Sequence, residues 1–167
     1  MSFGYQVLGF GSGGIGFTYI VATGGDSIAT DGDYKVHTFT SPGTFAVSAT
    51  GGDTTPTTYR DKISYMVVGG GGGSGGWNGA EAGGGGGGGF RANDAAAGGG
   101  FSPVSPLANP VGTFTVSTSP GSYPITVGSG GTAVSGASIV GNDGGSSSGF
   151  SITSAGGGGG GYNNGPS

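Results

Sequence analysis

The sequence predicts an all-β protein: short antiparallel strands and hairpins in a sandwich-like arrangement, glycine tracts packed as polyproline or polyglycine II segments, and essentially no α-helix. Three observations carry that expectation. Runs of β-branched and aromatic residues alternate sides and end in Gly, Pro or Asp turn signals. No stretch combines helical spacing with capping residues. Glycine supplies 47 of the 167 residues, much of it in runs, against a usual share of about 7%.

Composition sets further bounds. Only 7% of residues are charged and the net charge is −4, yet there are 9 Phe, 7 Tyr and 1 Trp. Chains disordered through charge carry few aromatics, so an ordered protein with closely spaced backbones is expected. Glycine without a strict three-residue Gly-X-Y repeat, together with only 8 Pro, excludes collagen. The absence of Cys removes disulfides, thiol catalysis and thiolate metal sites. Four scattered basic residues do not make the basic stripe of a nucleic-acid binder. No apolar run reaches the roughly 18 residues of a spanning helix, so no membrane insertion is expected. The start Met1-Ser2-Phe3-Gly4-Tyr5-Gln6 lacks the charged and apolar regions of a secretory signal, which points to synthesis in a cytoplasm.

Residues 1–17 carry Phe3, Tyr5, Val7, Leu8 and Phe10 among glycines, and read equally as an N-terminal anchor or as an edge strand. Residues 18–167 form one glycine-rich β domain, with hairpins over 18–68 and with tracts and C-terminal strands over 69–167. Thr18 to Ala22 is strand-like, and Ser27 to Thr30 is a second short strand. The run 34–40, Tyr-Lys-Val-His-Thr-Phe-Thr, is the clearest β signal, and it is expected to turn at Ser41-Pro42-Gly43 and pair with 44–49. Residues 63–68 read as one apolar strand running into glycine. Residues 112–117 and 122–127 are expected to form a second hairpin around Ser119-Pro120-Gly121. Residues 128–136 and 141–149 read as loops, 137–140 as a possible short strand, and 150–153 as the last strand.

The tracts 69–76, 83–89, 98–100 and 156–161 admit three structures. A solvated linker is the simplest. A phosphate-cradling loop needs a following helix and Gly-Lys-Ser or Gly-Lys-Thr, neither of which is present. The third is a bundle of extended segments with about three residues per turn and no internal hydrogen bonds, which can approach closely and pair their backbones. Linkers are usually rimmed by polar residues. These tracts are entered by Tyr65-Met66-Val67-Val68 and punctuated by Trp77, Phe90, Phe101 and Tyr162. The packed core is therefore expected.

No catalytic, cofactor-binding or metal-ligating constellation stands out. His37, the single histidine, sits mid-strand with no partner for acid–base work in the sequence around it, so a structural or surface role is expected. Asp26, Asp31 and Asp33 do not match the spacing of a calcium loop and suit turns. Arg91 after Phe90 suits a surface pair with Asp94 or Glu81, or a ligand contact. Candidate assembly or receptor contacts are Phe3, Tyr5, Trp77, Phe90, Arg91, Phe101 and Tyr162.

Taken in order, the blocks 32–45, 63–73, 88–91, 123–131 and 154–161 resemble the glycine-rich domain of tail fibres and other virion proteins of tailed bacteriophages, notably those of marine hosts. The resemblance spans about residues 18–162, with 92–110 and 51–58 as departures. It implies a non-enzymatic virion structural protein that forms a homo-oligomer, commonly a trimer, without a cofactor. The implied partners are other copies of the chain, other tail or capsid proteins and a host receptor. The implied location is a virion appendage. An adhesin contacting host polysaccharide or outer-membrane protein is the second reading, and a bacterial surface filament the third. Paired carboxylates at hydrolase spacing are not evident, which disfavours an enzyme.

Overall fold

The computed structural model describes residues 19–31, 34–52, 60–76, 82–93, 114–136 and 138–162. Among these residues eleven strands form: β1 Val21–Thr23, β2 Ser27–Asp31, β3 Tyr34–Thr38, β4 Gly43–Ala49, β5 Lys62–Ile63, β6 Met66–Val68, β7 Phe90–Ala92, β8 Phe114–Thr115, β9 Ser122–Ile125, β10 Ser147–Gly149 and β11 Ile152–Ser154. The protein is all-β, with short antiparallel strands in small sheets. The contacts divide it into two compact units, Met1–Tyr65 with Ala92–Ile125, and Met66–Arg91 with Thr126–Ser167. The expected anchor over 1–17 lies outside the described residues.

In the first unit, β4 is the middle strand of a three-stranded sheet, β1-β4-β9, antiparallel throughout. Phe45 and Val47 alternate inward from β4 and join Ile20, Ile63, Tyr65 and Val116 in the core. Edge-to-face rings extend it: Tyr65 against Phe114 at 6.2 Å, and Phe114 against Tyr123 at 5.8 Å. The Tyr123 hydroxyl accepts the Ser117 N–H at 2.7 Å and so holds the turn leading into its own strand. That turn contains a cis Ser119–Pro120 bond.

Both expected hairpins are corrected. β3 pairs with β2 rather than with β4, in the register Ser27↔Thr38 to Asp31↔Tyr34. β4 instead pairs with β1 and β9. Likewise β8 pairs with β5 and not with β9. Short alternating strands show which face is apolar but not which neighbour covers it. The Ser-Pro-Gly turns thus connect different sheets. The single strand expected over 63–68 is broken into β5 and β6. At the break, buried Asn93 satisfies the backbone on both sides of Ser64: its Oδ1 accepts the Tyr65 N–H at 2.5 Å, its Nδ2 donates to the Ile63 carbonyl at 2.9 Å, and its own N–H donates to the Tyr65 carbonyl.

In the second unit, β6 pairs with β7, and β10 with β11. The β10–β11 hairpin lies where the sequence suggests a loop followed by a strand. Phe150 and Ser151, expected as strand, form its two-residue turn with φ of 52° and 63°. Both central residues in the left-handed region is the geometry that matches the twist of paired strands. Ile139 belongs to no strand and makes only an isolated bridge to Gly76. The rest of this unit is glycine-rich backbone.

Candidate functional site

Five extended segments of the second unit are cross-linked by their backbones: 69–76, 83–89, 128–134, 139–145 and 155–161. Between 69–76 and 83–89, the N–H groups of Gly69, Gly72 and Gly75 donate to the carbonyls of Gly89, Gly86 and Gly83 at 2.8, 2.8 and 3.0 Å. The next residue in each triplet turns to another neighbour. Gly70, Gly73 and Gly76 donate to Gly145, Asn142 and Ile139 of segment 139–145. Every third residue therefore faces the same partner, the periodicity of a polyproline II-type helix.

The remaining ladders follow the same rule. Gly83, Gly86 and Gly89 donate to Gly161, Gly158 and Ala155. Gly157 and Gly160 donate back to Gly70 and Gly73, while Gly141 and Gly144 donate to Gly160 and Gly157. Segment 128–134 donates to 69–76 through Gly131 and Val134, and accepts from Asn142 and Gly145. The polarity is consistent: 69–76, 128–134 and 155–161 run one way, 83–89 and 139–145 the other. Segment 69–76 touches all four others and is the centre of the lattice. Segments 83–89 and 128–134 each touch two and form its corners.

Glycine is required wherever a residue points at a neighbouring backbone. A Cβ on Gly72 would lie 2.0 Å from the Gly158 carbonyl oxygen, and one on Gly159 would lie 1.7 Å from that of Gly141. These are not positions that need an unusual φ. Among described glycines, positive φ occurs only at Gly24, Gly25, Gly121 and Gly136, all outside the five segments. The lattice uses glycine for close approach, which lets extended backbones satisfy one another without a side chain between them.

The three-residue code also explains the residues that are not glycine. In segment 155–161, Ala155, Gly158 and Gly161 point outward and are exposed, while Gly157 and Gly160 are buried; Ala155 occupies the one series with room for a Cβ. In 128–134, the inward series begins Gly128, Gly131, while Ser129, Thr132 and Ala133 face solvent. In 139–145, Gly141 and Gly144 face inward, and Asn142 and Asp143 are exposed. Asp143 adds a side-chain bond, accepting the Gly159 N–H at 2.7 Å.

Segments 128–134 and 139–145 were missed as lattice members because 128–136 and 141–149 read as loops and 137–140 as a short strand. Their signal was present: glycines spaced by three, at 128 and 131 and at 141 and 144. A tract packed on one face needs glycine only once per turn, so it carries a period rather than a run.

Of the residues singled out from sequence, Phe3, Tyr5, Trp77 and Phe101 lie outside the described residues, as does tract 98–100. Phe90 and Arg91 lie half-buried in β7, and the Arg91 guanidinium donates to the Phe90 carbonyl at 3.0 Å. Tyr162 is exposed and bridges to Ala82. Phe90 and Tyr162 thus mark opposite ends of tract 83–89, about 25 Å apart at ~3.1 Å per residue. They do not form one site. At the Tyr162 end, Ile139 and Val140 are also exposed.

His37 and Asp26, in the first unit, are structural. The His37 ring is buried edge-on to Phe45 at 5.3 Å, and its Nδ1 donates to the Gly24 carbonyl at 2.6 Å. Burial lowers its pKa. The Asp26 carboxylate accepts from the N–H and hydroxyl groups of Thr40 and Ser41, which lowers its pKa to about 2. It organises the turn between β3 and β4, in keeping with the turn role expected for it. Among the described residues no group of His, Asp or Glu is arranged to hold a metal ion, and no helix is long and apolar enough to cross a membrane.

The fold and its ladders define an all-β scaffold whose second unit is held by a glycine backbone lattice. The chain belongs to the glycine-rich domain family, whose family model matches residues 40–167. No curated protein and no solved structure matched it.

Proposed function

We propose that this protein is a non-enzymatic virion structural component, part of a tail fibre or other appendage, which assembles as a homo-oligomer. The observation that carries the structural role is the five-segment lattice. It converts the most flexible residue type into a cross-braced lattice of backbone, a device suited to bearing shape rather than to chemistry. The virion setting rests on the order of the glycine and strand blocks, which resembles that of tailed-phage fibre proteins; three copies is the number that resemblance implies. Other tail proteins would be its neighbours in the particle.

A second reading, host-receptor contact, is favoured by the apolar residues Ile139, Val140 and Tyr162, exposed where the lattice segments end. Exposed apolar side chains at one end of a backbone-braced lattice suit adhesion to a surface.

Light scattering on the purified full chain tests the first reading. A mass that is a multiple of 15.6 kDa is expected, and a single-chain mass at all concentrations overturns assembly. Cryo-electron microscopy of particles then places or excludes the protein in an appendage. Loss of cell binding in Tyr162→Ala, with an unchanged fold, supports the adhesin reading, and unchanged binding counts against it.

A further inference from the structure

The two corner segments of the lattice are built differently. Each has two neighbours and one outward face. On 128–134 that face carries Ser129, Thr132 and Ala133. On 83–89 it carries Gly84 and Gly87, where an added Cβ would meet nothing within 4 Å among the described residues. The intrachain lattice requires glycine at Gly85 and Gly88, whose Cβ atoms would lie 2.1 and 1.9 Å from the carbonyl oxygens of Gly72 and Gly69. It crowds Gly83, Gly86 and Gly89 against 155–161 at 2.6, 3.2 and 3.0 Å. It does not require Gly84 or Gly87.

Those two glycines carry an entropic cost of about 0.5–1 kcal/mol each relative to Ala, and no contact with a described residue offsets it. The edge is also open in the hydrogen-bonding sense. The N–H groups of Gly84, Gly85, Gly87 and Gly88 make no backbone hydrogen bond to a described residue, and residues 83–87 are exposed. An unpaired backbone edge is a template for another segment of the same kind. Here a partner must present glycine at every third residue on the facing side, because the lattice brings backbones together at distances that exclude a Cβ; tract 83–89 of a second copy does so through Gly84 and Gly87.

We infer that the outer edge of tract 83–89 is a docking edge for the same tract of a second copy of this chain. Related by a two-fold axis across the tract, the two copies run antiparallel, the polarity that 83–89 already adopts with both of its intrachain neighbours. The lattice thereby continues from one copy into the next, and the exposed glycines become interior ones. The inference rests on the assembly reading above and joins copies in pairs through this edge, in place of the three copies that the resemblance implies.

The full-length chain tests it by light scattering and sedimentation across a concentration series. Gly84→Leu with Gly87→Leu places side chains where the monomer has room, so circular dichroism should match the native protein, and unfolding at concentrations where both are monomeric should show no loss of stability. Self-association should weaken by about tenfold or more. Because the chain has no cysteine, Gly87→Cys provides a second measurement. A short bis-maleimide should cross-link it to a dimer, whereas Ser129→Cys on the other corner should stay uncross-linked.

Native protein that associates equally well with the leucine pair overturns the edge and leaves the assembly reading standing. Native protein that is monomeric at every concentration overturns both. Weakened association with no Gly87→Cys cross-link overturns the like-to-like pairing.

Discussion

A Cβ on Gly157 would lie 2.1 Å from the carbonyl oxygen of Gly86, whereas one on the next residue, Gly158, would come no closer than 4.0 Å to any described atom. Two adjacent glycines in one run thus have opposite structural standing. One is indispensable to a backbone-to-backbone contact and the other faces solvent.

That relationship predicts a change of sign along the tract. Gly158→Ala should stabilise by about 0.4–1 kcal/mol, since it lowers the entropy of the unfolded chain where the folded chain has space. Gly157→Ala and Gly159→Ala should each destabilise by about 1–3 kcal/mol or more, because the obstacle is backbone and cannot rotate aside. Urea unfolding of the three variants checks it. A uniform response would mean that the tract is not packed with a three-residue period.

Asn93 offers a sharper loss. Asn93→Leu keeps bulk but leaves the Tyr65 N–H and the Ile63 carbonyl buried without their side-chain partner. At about 1–3 kcal/mol for each of the two unsatisfied groups, a loss of ~2–6 kcal/mol is expected in chemical denaturation. Asn93→Asp should also destabilise, since it keeps the acceptor and loses the donor.

Acid should weaken the first unit in two windows. The folded pKa of His37 lies below its ordinary 6.5, chiefly through burial. As pH falls below about 6.5 the unfolded chain therefore takes up a proton that the folded one refuses, and stability declines until the folded pKa is passed. Asp26, held at about 2 against an ordinary 3.8 mainly by the Thr40 N–H, contributes stability above the higher value and loses it as pH falls through the lower. Denaturation curves from pH 8 to pH 2 should show both declines. His37→Gln should remove the first and Asp26→Asn the second.

The β10–β11 turn carries avoidable strain. Ser151 sits at φ 63°, a region that costs a side-chain-bearing residue roughly 1–2 kcal/mol. Ser151→Gly should therefore raise stability by about 0.5–1 kcal/mol, after allowing for the extra flexibility of glycine when unfolded. A shift in the urea midpoint without a change in slope is the expected signature.

Much of this was legible in the chain itself. The β-branched and aromatic runs marked most strands of the first unit, from Ser27–Asp31 to Ser122–Ile125. The aromatic rims of the tracts, together with the backbone's demand for partners, identified packed glycine rather than linkers. Asp26 as a turn former also followed from its local setting, whereas for His37 the sequence left a structural and a surface role open and burial in the fold chose between them.

Partnership was not legible, and only the tertiary structure decided it. Nothing local to Tyr34–Thr38 distinguishes β2 from β4 as its neighbour, since either presents an alternating strand of suitable length. The same holds for Asn93, whose role depends on a break between β5 and β6 about thirty residues upstream. In the glycine tracts the limit is stricter, because a run such as 83–89 has no side chains to mark its faces. Sequence determined that these backbones could approach; the fold determined which face of each did, and so which glycines are required and which two are left open at the edge.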